Sequence, residues 1–205
     1  MFVTCVVLAA GNSARFRTGS GSRPGPGTKQ LLPYRGRTLV DAALDTARAG
    51  PFAQRIVTLG ESAAAIRAGV DLTGFLAVDV PAAGNGCGAS VSTAVGSVDP
   101  RAAGLVLLLG DQPQVTARAV ADLIAIAGGS ALGVCRYDDG PGHPFWFRRD
   151  LFAALRGLHG DKAVWKLLHS GDHPVTEVPV AGPVPVDVDT WADYERLLTG
   201  DHLVG

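Results

Sequence analysis

Apolar residues along this chain fall into short continuous runs, and segments of helical periodicity lie between them. Strands are predicted at Phe2–Leu8, Arg55–Leu59, Phe75–Val78, Gly104–Leu109, Ala131–Val134 and Val175–Val180. Most of these runs are too continuous for half-exposed antiparallel strands, because an exposed face would place a polar residue at every second position. They indicate strands that are buried on both faces.

Helices are predicted between these strands, where apolar residues recur at helical spacing. They cover Leu39–Arg48, Ser62–Ala68, Ala89–Val95, Ala117–Ala127, Asp150–Leu155, Lys162–Leu168 and Trp191–Leu198. The alternation predicts an α/β fold, a three-layer sandwich with a mostly parallel, Rossmann-like sheet. Ligands bind at the carboxyl ends of such strands, so the loops after Leu8 and Leu109 are expected to carry the chemistry.

Composition narrows the function classes. The 205 residues are 47% hydrophobic, enough for one core, and we expect a single domain over 1–205. A net charge of -1 argues against nucleic acid or an anionic membrane as partner. Met1 leads directly into a strand with no basic leader, so a cytoplasmic location is expected. Cys5, Cys87 and Cys135 lack CxxC spacing and are interpreted as packed or idle thiols.

The loop after the first strand has the composition of a phosphate cradle. Gly11 to Arg15 supply backbone N–H groups, small side chains and a guanidinium. Neither the GxxxxGK[ST] nor the GxGxxG pattern is present. The Gly- and Pro-rich stretch Thr18–Gly27 predicts a mobile flap, and Arg15 and Lys29 on either side of it could close over a triphosphate. An ordinary turn and a solvated basic pair remain alternatives.

Carboxylates follow the most apolar strand and also lie near the end of the chain. Asp111, in "GDQP", is predicted to face the crevice and to bind Mg²⁺. A helix cap is the alternative, although Thr116 is better placed for that role. Asp187 and Asp189 are two residues apart on a segment interpreted as extended, and either could complete the metal site. Asp189 could instead begin the last helix, with Asp193 in its first turn.

Five motifs follow one another along the chain: "LAAGNSARF" with "KQLLP", "GNGCGAS", "GDQP", "GHPFWFRRDLFAALRGLHGDKAVWKLL" and "DVDTWADY". In this order they resemble the nucleotidyltransferases of molybdenum cofactor maturation, especially the molybdenum cofactor cytidylyltransferase family, and the MobA-like NTP transferases generally. The resemblance extends over nearly the whole chain. It implies a sheet of the nucleotide-diphospho-sugar transferase type.

The resemblance implies transfer of a nucleoside monophosphate, CMP from CTP, to the phosphate of molybdopterin, with Mg²⁺ as cofactor and pyrophosphate released. A molybdoenzyme or its chaperone would be a protein partner. By resemblance, Leu8, Ala9, Ala10, Gly11, Asn85 and Ser90 bind the nucleotide, Arg15 and Lys29 contact the triphosphate, Asp111 and Asp189 hold the metal, and Gly142, His143, Asp161 and Lys162 face the acceptor. Ala10, in LAAG rather than LAGG, favours CTP over GTP.

The chain also departs from the family pattern. The segment 16–28 is longer than the family's loop, and Phe16-Arg17 replaces the usual Met-Gly. Gly86–Ser90 has fewer hydroxyls than the family's GMSSS, and Trp191-Ala192 replaces Pro-Glu. These departures leave three alternatives open: another nucleotide such as GTP, another phosphorylated acceptor, or a nucleotide-binding module without turnover.

Three aromatic or heteroaromatic side chains have competing interpretations. His143 is expected to bind the acceptor rather than transfer protons, with a turn or surface role as the alternative. Trp146 and Trp165 are interpreted as core or rim residues, although an aromatic wall would suit a pterin-like acceptor.

Overall fold

A seven-stranded sheet lies at the centre of the protein. The computed structural model describes residues 1–11, 16, 27–81, 86–160 and 162–201. The strands are β1 (Val3–Ala9), β2 (Pro33–Tyr34), β3 (Arg37–Thr38), β4 (Gln54–Leu59), β5 (Leu76–Asp79), β6 (Gly104–Leu109), β7 (Leu132–Tyr137), β8 (Gly140–Arg148) and β9 (Val175–Pro179). In the large sheet the order is β5-β4-β1-β6-β8-β7-β9, while β2 and β3 form a separate hairpin. The predicted α/β fold is confirmed.

Strand β8 was not among the predicted strands, and it is the antiparallel member of the large sheet. It pairs in opposite direction with β6 on one side and β7 on the other, whereas the other described pairs of that sheet are parallel. Its sequence, GPGHPFWFR, begins with glycines and prolines, which normally indicate a turn. A register shift between Val134 and Cys135 accommodates this irregular start beside β7.

Helices cover both faces of the sheet. They are α1 (Leu39–Ala49), α2 (Ala63–Gly69), α3 (Cys87–Gly96), α4 (Ala117–Ala127), α5 (Phe152–Arg156), α6 (Ala163–Leu168) and α7 (Trp191–Asp201). Helices α1, α2 and α4 pack on one face in a first hydrophobic cluster, and α3, α5 and α6 pack on the other in a second cluster. Every residue of β1 is buried, as its continuous apolar run predicts. Within the described residues, no helix is long and apolar enough to span a membrane.

Helix starts follow local capping chemistry. Thr38 begins α1 with a capping box, in which its hydroxyl accepts from the Asp41 N–H and the Asp41 carboxylate accepts from the Thr38 N–H. Thr116 is the N-cap of α4, since its hydroxyl accepts from the Ala119 N–H at 3.1 Å. The predicted N-cap is therefore confirmed, and Asp111 is not needed to cap α4.

A third hydrophobic cluster joins the two ends of the chain. Its buried members are Phe16, Leu32, Tyr34, Leu39, Val188, Tyr194 and Leu197. The rings of Phe16 and Trp191 lie 4.4 Å apart between centroids, and the Tyr194 hydroxyl donates to the Pro33 carbonyl at 2.6 Å. This cluster fixes α7, and the segment just before it, beside the carboxyl end of β1.

Candidate active site

Lys29 begins a short 3-10 helix, Lys29–Leu31, that lies against the carboxyl end of β1. The next residue, Gln30, is buried and attaches this helix to the strand. Its side-chain amide donates to the carbonyl of Gly11 at 2.9 Å and to that of Ala9 at 3.4 Å. Thr28 in turn donates its hydroxyl to the Gln30 side-chain oxygen. The lysine is therefore held at the edge where the sequence predicts a phosphate cradle.

The ammonium of Lys29 bridges two of the predicted metal ligands. Its Nζ lies 2.6 Å from Asp111 Oδ2 and 2.6 Å from Asp189 Oδ1, although the two aspartates are 78 positions apart. Burial alone would lower the pKa of Lys29, but the two carboxylates outweigh it and hold the pKa above its ordinary value. Lys29 is thus a buried cation at neutral pH, matched to two partly exposed anions.

Asp187 adds a third carboxylate to this cluster. Loss of solvent, followed by the charges of Asp111 and Asp189, raises the pKa of Asp187 to about 7. The predicted extended geometry is wrong here, because no strand forms over 183–189 and the Asp189 N–H donates to the Asp187 carbonyl at 3.1 Å in a tight turn. The proline-rich segment cannot supply a regular ladder. The turn nevertheless brings both carboxylates towards Asp111.

Capping of α7 does not occupy Asp189. Thr190 accepts from the Asp193 N–H at 3.2 Å, and the Asp193 carboxylate accepts from the Thr190 N–H at 2.7 Å. These two residues cap the helix between them. The Asp189 carboxylate is therefore available to Lys29, and the alternative in which Asp189 serves as the cap is set aside.

Two loops are tied together to form the site. The Val188 N–H donates to the Asp111 carbonyl at 3.3 Å, and the Gln112 side chain donates to the Pro185 carbonyl at 3.3 Å. The Val186 N–H donates to the Gln114 side chain at 3.1 Å. The turn after β6 and the segment before α7 consequently act as one unit that carries all three aspartates.

The donor set fits a divalent metal of the Mg²⁺ type. Asp111 and Asp189 offer carboxylate oxygens, which hard cations prefer, and Mg²⁺ usually binds through one or two carboxylates with substrate phosphates completing the shell. The described ranges contain no cluster of three or more His, Cys, Asp or Glu arranged as an all-protein metal cage. A metal here would therefore depend on ligands from a bound substrate.

The predicted nucleotide-binding residues lie in two places. Leu8, Ala9 and Ala10 are buried at the end of β1, and Gly11 is exposed just beyond them. Ser90 is buried in the first turn of α3, on the face of the second cluster. Arg15 and Asn85 lie outside the described residues.

Two of the predicted acceptor residues, Gly142 and His143, lie near the start of β8. His143 is buried and packs on Phe145, with ring centroids 3.9 Å apart, and its ring meets Trp165 edge-on at 6.5 Å. Burial lowers the pKa of His143 to about 3, so the imidazole is neutral at physiological pH. A surface role for His143 is wrong. Trp146, by contrast, is fully buried and donates from Nε1 to the Ser130 carbonyl at 3.0 Å, which makes it a core residue.

Gly142 and Lys162 differ in their surroundings. A Cβ on Gly142 would lie 2.9 Å from Val184 Cγ1 and 3.2 Å from the Tyr137 ring, so a larger residue there would require these side chains to move. Lys162 is exposed immediately before α6. Asp161 lies outside the described residues.

Two glutamines of this site were not among the predicted residues. Gln30 orients the lysine helix, and Gln112 joins the two loops while its Oε1 is buried without a hydrogen-bond partner. Both stand directly beside residues that the motifs single out, in "KQLLP" and "GDQP". Their position next to a predicted charged site residue was the sequence signal that could have identified these two glutamines.

Comparison with known proteins gives a consistent family. Residues 5–175 match the model of the MobA-like NTP transferase domain. Nicotine blue oxidoreductase from Paenarthrobacter nicotinovorans is 33% identical, with 96% of each chain covered. Rv0371c from Mycobacterium tuberculosis H37Rv, in a crystal structure of its complex with manganese, is 48% identical with a TM-score of 0.83, over 97% of this chain and 99% of that one.

A more distant structure supports the fold alone. A nucleotidyl transferase from Methanothermobacter thermautotroptrophicus is 21% identical, with a TM-score of 0.82 over 100% of this chain and 99% of that one. The topology thus persists at low sequence identity.

Proposed function

Because this chain belongs to the MobA-like NTP transferase family, we propose that it transfers a nucleoside monophosphate, CMP from CTP, to the phosphate of a molybdopterin-type acceptor, with release of pyrophosphate. The observation that supports this most directly is the contact of Lys29 with Asp111 and Asp189 at the carboxyl ends of β1 and β6. One strong cation and two carboxylates at this edge are the groups that phosphoryl-type transfer needs.

The chain's own residues bind and orient the reactants. Residues Leu8 to Gly11 border the nucleotide, and Arg15 and Lys29 contact its triphosphate. An acceptor phosphate oxygen attacks the α-phosphorus and forms a new P–O bond, while the bond from the α-phosphorus to the bridging oxygen breaks and pyrophosphate leaves with that electron pair. Lys29 stabilises the charge that develops on the departing oxygens. No covalent bond to the protein is required.

A divalent cation completes this site. Asp111 and Asp189 would hold it, and it would supply neutralisation of phosphate charge. The manganese complex of Rv0371c supports a divalent metal here, and Mg²⁺ is the ion that we propose.

The acceptor is proposed to lie beside the start of β8. Trp165 is partly exposed and is held edge-on against the buried rings of His143 and Phe145, and such a supported aromatic side chain suits a flat heterocycle such as a pterin. A neutral His143 serves binding rather than proton transfer. Lys162 is exposed and lies close to Trp165 in the sequence. Lys162 and Asp161 would contact polar groups of the acceptor.

The first test is thermal unfolding with Mg²⁺ and each of CTP, GTP, ATP and UTP, for wild type and Asp111→Asn. A ligand present at 100 times its Kd stabilises the folded state by about 2.7 kcal/mol. We expect the largest shift with CTP and its loss in the variant. Pyrophosphate release is then measured with molybdopterin and with sugar and polyol phosphates. A larger shift with GTP would identify GTP rather than CTP as the nucleotide. Binding of CTP without turnover on any acceptor would favour a nucleotide-binding module without catalysis.

The relative from Paenarthrobacter nicotinovorans suggests a second candidate, an oxidoreductase. Its name denotes that activity, and it matches this chain over 96% of both lengths. NADH and NADPH belong in the same thermal panel. Stabilisation by either, without stabilisation by any nucleoside triphosphate, would favour the oxidoreductase.

A further inference from the structure

We propose that Lys29 occupies the place of the metal until a triphosphate arrives, so that its ammonium must leave Asp111 and Asp189 before a divalent cation bridges them. Metal and triphosphate then bind cooperatively, because the metal displaces the lysine ammonium from the carboxylates and the triphosphate provides new oxygens for that ammonium to bind. The inference rests on the proposed function, because it assumes the metal site at Asp111 and Asp189 and adds the order in which Lys29, the metal and the triphosphate occupy it.

The geometry of the ion pair carries the first step. Lys29 Nζ lies at the same distance, 2.6 Å, from Asp111 Oδ2 and from Asp189 Oδ1. A divalent cation held by both carboxylates would occupy the same point between these two oxygens that the ammonium fills now. An ammonium and a metal ion cannot share that point. Binding of the metal by both carboxylates therefore requires the lysine side chain to move.

Burial carries the second step. Lys29 is buried, and a buried charge that loses its partners costs several kcal/mol unless another anion replaces them. The metal alone must therefore overcome the cost of stranding the lysine. A triphosphate removes that cost by offering phosphate oxygens to the released ammonium.

The position of the lysine makes such a transfer short. The 3-10 helix that carries Lys29 is attached through Gln30 to the carbonyl of Gly11, the first residue of the predicted cradle. The lysine stem is long and flexible, so its ammonium can turn from the carboxylates towards Gly11 by rotation of the side chain.

The direct test is the affinity for Mn²⁺ alone, measured by the electron paramagnetic resonance signal of free Mn²⁺. Lys29→Met removes the competing charge, and we expect it to bind Mn²⁺ at least about fivefold more tightly than wild type, the lower end of usual coupling between sites. Lys29→Arg keeps a cation and should bind Mn²⁺ as weakly as wild type. Lys166→Met, on the exposed side of α6, makes the same change in net charge away from the site and should leave the affinity unchanged.

The outcomes separate the two proposals. Equal Mn²⁺ affinity in wild type and Lys29→Met overturns the displacement of the lysine but leaves the metal site intact. If Mn²⁺ binds to neither protein, with or without CTP, both the displacement and the metal-dependent function are overturned.

A second measurement uses only the wild-type protein, in case Lys29→Met does not fold. The rate at which acetic anhydride modifies Lys29 is followed by mass spectrometry. We expect slow modification without metal, faster modification in saturating Mg²⁺, and slow modification again when CTP is added with Mg²⁺. Modification of Lys166 serves as the internal control. A Lys29 rate that does not respond to saturating Mg²⁺ overturns the proposal.

Discussion

At the scale of single residues, His143 shows how burial sets chemistry. Its ring lies against Phe145 and Trp165, and burial lowers its pKa to about 3 from the ordinary 6.5. The unfolded chain therefore binds a proton below pH 6.5 that the folded chain does not. Above pH 6.5 His143 therefore does not reduce the free energy of unfolding, and that free energy decreases as the pH falls from 6.5 towards 3.

We predict that His143→Gln makes the protein less sensitive to acid. In wild type, protonation of this histidine in the unfolded chain should lower the free energy of unfolding by up to ~1.4 kcal/mol for each unit by which the pH falls between 6.5 and 3. Denaturant unfolding at pH 4 to 7.5 measures the difference between the two proteins, and His159→Gln, at an exposed position, serves as the control. A wild-type-minus-variant difference that is constant with pH would contradict the assigned pKa.

Site residues were predictable where their chemistry is local. The strand-to-turn transition at "GDQP" places a carboxylate at the sheet edge from sequence alone, and the structure has Asp111 there, bound to Lys29. Which of Asp187 and Asp189 contacts Lys29 was not predictable from the residues, because it depends on a tight turn in a proline-rich segment. The buried state of His143 likewise depends on β8, which its own glycines and prolines conceal.

At the scale of elements, the start of α3 explains one departure from the family pattern. A Cβ on Gly88 would lie 2.8 Å from the backbone nitrogen of His159 and 2.9 Å from the carbonyl carbon of Leu158. The Gly88 N–H also donates to the Gly160 carbonyl at 3.1 Å. A glycine in place of the family's serine thus lets α3 pack directly on the loop that leads to Lys162.

We predict that Gly88→Ala destabilises the protein by ~1–3 kcal/mol, because the clash involves backbone that cannot rotate away. It should also raise the KM for the acceptor more than that for CTP, since the displaced loop precedes Lys162. Gly96→Ala is the matched control at the other end of α3, where a Cβ would meet nothing within 4 Å. Equal unfolding free energies for the two variants would argue against the packing role of Gly88.

Elements with strong periodicity or capping residues were predicted well. The core strands β1, β4 and β6 and the helices α1 and α4 match their predicted ranges within a residue or two. Their signals are local, namely continuous apolar runs and Thr caps. The pairing of β8 between β6 and β7 is set by tertiary packing of Phe145, Trp146 and Phe147, which no local pattern reveals.

At the scale of the whole molecule, two departures from the family pattern contact each other across the length of the chain. Phe16 replaces the usual Met and Trp191 the usual Pro, and their rings lie 4.4 Å apart. The contact belongs to the third cluster, which holds α7 near the carboxylate cluster. The two replacements are therefore one structural change.

We predict that Phe16→Ala and Trp191→Ala are not additive. A double-mutant cycle in equilibrium unfolding should give a coupling of about 0.5–1.5 kcal/mol, the usual range for an aromatic pair. Phe16→Ala combined with Trp165→Ala is the control, because Trp165 packs on the second cluster, and this pair should be additive. Additivity of the Phe16 and Trp191 changes would show that the contact has no energetic weight.

The hairpin between β7 and β8 has a consequence for how this fold can change in evolution. Its two-residue turn holds the segment before Asp187 through two side-chain bonds, from the Gly182 N–H to the Asp138 carboxylate and from the Val184 N–H to the Asp139 carboxylate, and through a backbone bond from the Asp138 N–H to the Gly182 carbonyl. The same turn leads into the strand that carries His143. An insertion at this one point would shift the start of β8, where we propose that the acceptor binds, together with the segment that carries Asp187 and Asp189. If the site functions as proposed, a duplicated copy of the chain could thus acquire a new acceptor through a single event, without altering β1 and β6.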